Sequence, residues 1–179
     1  MIKVPESSLV ERLASYMASA PARALPPVVQ EKTKHHLLDT LAAMISGKAL
    51  LPGRRAIAYA TSRAGAPEAL VVGTKYLTTV ENAALANGML AHADETDDSH
   101  APSQTHPGCG TIAAALAMAE ARAANGTALL RAIALGYDIG TRFTMALRAL
   151  EFREEGHSTH SFGPTFGAAA AAGASWPKG

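Results

Sequence analysis

The chain has a single cysteine, Cys109, so no disulfide can close within it. A lone thiol fits a reducing compartment. Aromatic residues make up only 5% of the 179 positions, so a core built on large rings is excluded. No apolar run reaches the roughly 18 residues that a membrane span requires. Neither sign of charge is in excess: 16 Lys and Arg face 15 Asp and Glu, a net charge of +1. Such a balance argues against a dedicated nucleic-acid binder. The opening MIKVPESSLVERL lacks a basic stretch followed by an apolar one, so no signal peptide is expected. These absences predict a cytoplasmic protein with no membrane and no nucleic-acid partner.

What is present is alanine. Apolar residues reach 48%, enough to bury a core in one domain. Alanine has the best helix propensity, and small side chains let helices approach closely. The expectation is an all-α, alanine-rich helical bundle over residues 1–179, with at most one short extended segment near 68–73. A first helix should start at Ser7 or Ser8, where Ser8 and Glu11 form a capping box, and stop before Pro21. Pro27 to Ser46 reads as a strong helix closed by Gly47 as its C′ residue. Pro52-Gly53 reads as a break, followed by a short helix from Arg54 to Arg63. Helices should then run from about Thr79 to Ala93, from Thr111 to Ala124, and from Ala128 to about Leu150. Asp138 and Arg142 suit an i,i+4 ion pair. Arg153 to Phe166 reads as a polar loop, with a last helix opening at Gly167 and stopped by Pro177.

The chemistry is concentrated in His92–Gly110, HADETDDSHAPSQTHPGCG. It holds four carboxylates (Asp94, Glu95, Asp97, Asp98) and three imidazoles (His92, His100, His106). Three readings compete. His92, Asp97 and His100 could ligate a metal, but no HExxH spacing or cysteine pair supports it. Cys109, near a helix N-terminus, could be an activated thiol, although a small buried cysteine is the commoner fate. The preferred reading is acid–base chemistry on an anion. Pro107 suits the first position of a helix, and Gly108 and Gly110 would offer backbone N–H groups at its positive end. His106 just before it can bind an anion or move a proton near neutral pH. The acids would orient His106 and His157, or pair with lysines from elsewhere.

The run from His92 through Glu95, Asp97, Asp98 and Ser99 to His106-Pro107 resembles the H-x-x-[DE]-x-D-D-[TS] … H-P signature of the MmgE/PrpD family. Three further stretches agree: His36-Leu-Leu-Asp39, Glu81 to Gly88, and His157-Ser-Thr159 before Gly163 and Gly167-Ala-Ala-Ala. The resemblance spans about residues 7 to 175. It implies a helical domain that continues beyond this chain, a smaller lid domain, and homodimers. The implied chemistry is metal-independent lyase or epimerase chemistry on di- or tricarboxylates, as in 2-methylcitrate dehydratase, with no cofactor. Carried over by position, His106, His157, Glu95 and Ser99 are the expected catalytic groups. Asp97, Asp98, Gly108 and Thr159 are the expected substrate-binding ones. The family's site lysines have no counterpart here, which makes the chain read as a truncated form. An inactive helical protein that self-associates is therefore the alternative, and a His/Asp metalloenzyme a third reading.

Overall fold

A computed structural model describes residues 8–63 and 65–174. Among them are eight α-helices and one two-stranded antiparallel sheet, so the all-α expectation holds. Helix α1 is Leu9–Ser19, and Ser8 and Glu11 form the predicted reciprocal cap. A 3₁₀ turn at Ala20–Ala22 leads to α2, Pro27–Gly47, and then α3, Leu51–Thr61. Strands β1 (Ala69–Leu70) and β2 (Leu77–Thr78) follow. Helix α4 is Val80–Ala91, capped by Thr79; α5 is Pro107–Ala121; α6 is Gly126–Ala146, capped by Asn125. The chain closes with α7, Ala149–Glu154, and α8, Thr159–Ala174. The expected start at Ser7 and stop at Pro177 lie outside the described residues.

Four local expectations need correction. Gly47 is no C′ residue: it is helical, and a Cβ there would collide with the Leu90 carbonyl, so the glycine serves close packing of α2 on α4. Pro52 does not break the chain but starts α3, where its missing N–H costs nothing. Helix α5 stops at Ala121 and not Ala124, and α6 opens at Gly126, capped by Asn125, and not at Ala128; Ala123, at φ 49°, makes the turn between them. Residues 153–166 are not one loop. The left-handed Arg148 ends α6, α7 follows, and α8 begins at Thr159 with Pro164 inside it.

The main core joins Met44, Val71, Leu90, Ile112 and Ile133 with buried alanines from α3, α4, α5 and α8. Asn87 is buried within α4 because the small sheet needs it. Its Oδ1 accepts from the Val72 amide at 2.9 Å, and its Nδ2 donates to the Leu70 carbonyl at 3.0 Å. Helices α6 and α8 meet by bare backbone. A Cβ on Gly140 would lie 2.6 Å from the Gly163 carbonyl, and one on Gly167 would lie 2.8 Å from that of Gly136. No described helix is long and apolar enough to cross a membrane.

Candidate active site

Helix α4 ends at His92, and the chain turns through Glu95 in the left-handed region at φ 56°. Asp94 ties this turn by accepting from the Thr96 hydroxyl at 2.7 Å. That bond holds the Asp94 carboxyl below its ordinary pKa. The next residue inward, Asp97, has a fully buried side chain. Its Oδ1 lies 3.1 Å from His92 Nδ1 and 3.5 Å from His106 Nδ1. His106 Nδ1 is also 3.3 Å from the Asp97 carbonyl. One buried carboxylate thus faces two imidazoles.

Asp98 points to different partners. Its Oδ1 accepts from the Gly108 amide at 2.9 Å, and its Oδ2 accepts from the Tyr137 hydroxyl at 2.7 Å. His36 Nδ1 lies 3.0 Å from the same Oδ2, and its ring tilts against Tyr137 at 4.8 Å. Burial works to raise the Asp98 pKa, but hydrogen bonds from His36, Tyr137 and Gly108 outweigh it and hold the carboxyl below its usual range. Burial first, and Asp98 second, push the Tyr137 hydroxyl pKa up. The network therefore holds an ionised acid against a neutral phenol, and it staples α2, α5 and α6 together beneath the loop.

Between these acids and α5, residues 100–105 form a tight excursion. His100 and Thr105 bridge in antiparallel fashion, and Gln104 turns the chain at φ 52°. His100 Nδ1 meets the Ser103 hydroxyl at 2.8 Å, which in turn meets Thr105 Oγ1 at 2.7 Å. His100 is thus a structural tie of this excursion. Helix α8 contributes the third imidazole of the site. His160 stacks on His106 at 5.2 Å, and the His92 ring is tilted against His106, also at 5.2 Å. Burial, then the neighbouring imidazoles, lower the His160 pKa, so its ring is neutral at pH 7.

The predicted site residues therefore separate. His106 and Asp97 are brought together, and Asp98 lies beside them on its own partners. Glu95 and Ser99 are exposed on the loop. His157 is exposed and stacks on Phe152 at 4.6 Å; the imidazole from this segment that meets His106 is His160. Thr159 is buried, with its hydroxyl donating to the Gln104 carbonyl at 2.5 Å. Gly108 does not offer its N–H to a ligand. Asp98 already accepts it, and Thr40, Asp98 and Tyr137 crowd the position. Pro107 is the first residue of α5, as its fixed φ suggested. Cys109 is no activated thiol: burial, and then Asp97 nearby, push its pKa up to about 12.

Sequence reasoning missed His36, Tyr137 and His160. His36 reads as an exposed or capping histidine on its own helix, and no local signal marks Tyr137. His160 lies on α8 near its start, and only packing of that helix sets its ring against His106.

Residues 11–176 match the MmgE/PrpD N-terminal domain. The chain belongs to the MmgE/PrpD family. It is 27% identical over 178 residues to the cis-aconitate decarboxylase-like protein oryM of Aspergillus oryzae (strain ATCC 42149 / RIB 40), an alignment covering 96% of this chain. The chain spans 36% of that relative's length.

Proposed function

We propose that this domain supplies the proton-transfer station of a lyase or epimerase acting on small di- or tricarboxylates. The observation that carries the reading is the placement of buried Asp97 against Nδ1 of both His92 and His106. A carboxylate at Nδ1 fixes the tautomer and ring orientation and leaves Nε2 as the atom that exchanges a proton. A neutral His106 would take a proton from carbon α to a carboxylate, and an imidazolium would return one. In a decarboxylation the C–C bond breaks, carbon dioxide leaves, and the electron pair left on carbon takes that proton. Similarity to a cis-aconitate decarboxylase-like protein favours cis-aconitate as the first substrate to assay. The imidazoles and acids of this cluster do not neutralise a polycarboxylate. Basic groups brought by another segment or subunit would neutralise it.

The test is turnover of a panel of polycarboxylates by the protein as its gene encodes it. His106→Ala should lower kcat by about a hundredfold or more, the range of general acid–base catalysis. An unchanged rate in that variant would sink the assignment.

A second reading, a self-associating helical protein without turnover, has its own support. Leu85 is 49% exposed and Met89 40%, and both line an open groove of about 410 Å³ that reaches His92 and Cys109. Apolar surface of this kind favours association. An oligomer by light scattering that is inert toward every acid in the panel would favour this second reading.

A further inference from the structure

We propose that His160 is a positioning residue for His106: its ring, laid against His106 from the first turn of α8, fixes the swivel of the imidazole that moves the proton. The inference rests on the proton-transfer reading of His106 and adds a residue which that reading does not use. Asp97 turns the Nδ1 edge of His106 inward, but at long range. Its Oδ1 lies 3.5 Å from His106 Nδ1 and its carbonyl 3.3 Å away, while the same Oδ1 is nearer His92, at 3.1 Å. Both contacts to His106 exceed the about 2.7–3.2 Å of a well-formed N–H···O bond. A ring held so loosely at one edge still swings about its Cβ–Cγ bond, and each swing displaces Nε2. A contact on the face of the ring removes that freedom. His160 supplies it, with ring centroids 5.2 Å apart and planes 28° from parallel.

The start of α8 is itself pinned to the residues that lead into His106. Thr159, the residue before His160, donates its hydroxyl to the Gln104 carbonyl at 2.5 Å. Arg153 on α7 donates to Gln104 Oε1 at 2.7 Å. Gly163, one turn on, packs so closely that a Cβ there would stand 2.7 Å from Thr105 Cγ2. The two sides of the stack, residues 104–106 and 159–163, are therefore tied to each other. The His160 ring also has the charge the task needs. Burial, then the His106 and His92 imidazoles, lower its pKa, so it is neutral at pH 7. A neutral face tolerates an imidazolium on His106, whereas a second cation would repel it. His160 is exposed, so the fold does not depend on its side chain. What it offers His106 is a flat neutral face, which a phenyl ring also has.

The experiment compares the parent with His160→Ala, His160→Phe and, as control, His35→Ala on the exposed face of α2. A thermal melt checks the fold of each. Relaxation of the His106 ring carbons, by ¹³C NMR, reads the order of that ring without any substrate. His160→Ala should make the His106 ring more mobile, and His160→Phe should restore its order. Rates are measured on the polycarboxylate that the parent turns over best. His160→Ala should lower kcat by about ten- to a hundredfold, the cost of a misplaced reacting group. KM should stay within about twofold, because ground-state binding is untouched. His160→Phe should recover most of the lost rate. Parent-like order of the His106 ring in His160→Ala would overturn the proposal. So would a loss that phenylalanine does not repair, or one that His35→Ala shares. Parent-like kcat in His160→Ala, with His106→Ala inactive, would overturn it and leave the proton-transfer reading standing. An unchanged rate in His106→Ala would sink that reading instead, and the ring relaxation would still decide whether His160 seats His106.

Discussion

Gly108 is the position where one added methyl should be most informative. A Cβ there would stand 2.5 Å from Thr40 Oγ1, 2.6 Å from Asp98 Oδ1 and 2.9 Å from the Tyr137 hydroxyl. None of the three can retreat freely. Asp98 Oδ1 accepts from the Gly108 amide itself, and its Oδ2 accepts from Tyr137. Overpacking of this kind costs about 1–3 kcal/mol. Losing one hydrogen bond to a charged group costs about 1.5–3 kcal/mol more. Replacing glycine by alanine in a helix returns about 1 kcal/mol. A net loss of about 3 kcal/mol should lower the Tm of a chain of this size by about 6–12 °C. The assay is a thermal melt by circular dichroism. Gly126→Ala serves as control, because nothing lies within 4 Å of a Cβ at that site. A Gly108→Ala variant that melts within about 2 °C of the parent would show that Asp98 is not held fixed between the Gly108 amide and Tyr137.

Two further outcomes follow from the charges. Because the folded Asp98 carboxyl is held below its usual pKa, its contribution is fully present above about pH 4 and is lost as pH falls through the lower folded value. Asp98→Asn should thus be less stable than the parent at pH 7, and the gap should narrow in acid; a gap constant from pH 7 to pH 3 in denaturant titrations would contradict it. The Cys109 thiol, raised to about 12, should resist a disulfide reagent at pH 8 in the folded protein and react promptly in denaturant. Equal labelling rates in both states would show that the thiol is not shielded.

Much of the fold was legible because its signals are local. The Ser8–Glu11 box, Thr79, Pro107 and the Asp138–Arg142 pair each act within one turn of helix, and each stands where the spacing put it. The Asp138 carboxylate carries one addition that spacing does not reveal: it accepts from the Tyr16 hydroxyl at 2.8 Å, across 122 residues. The site was half legible for the same reason. Asp97 and His106 share one loop, and their pairing follows from proximity in the chain. His36, Tyr137 and His160 come from α2, α6 and α8, and only packing brings them in. The helical stretch from Thr159 was misread because Gly163 and Pro164 are poor helix residues. Packing against α6 overrides that local weakness, since the glycine that costs propensity is the one that lets the backbones touch.

That backbone contact also fixes distance. With Gly136 and Gly140 facing Gly163 and Gly167, α8 can seat in one register only, because a shift by one residue would press a side chain into a carbonyl. A one-residue slide moves a helix by about 1.5 Å and turns it by about 100°. His160 stands one turn before Gly163, so such a slip would carry its ring off His106. The four glycines therefore act as a vernier: they carry no chemistry, yet they calibrate where an imidazole stands from one turn to nearly two turns along α8.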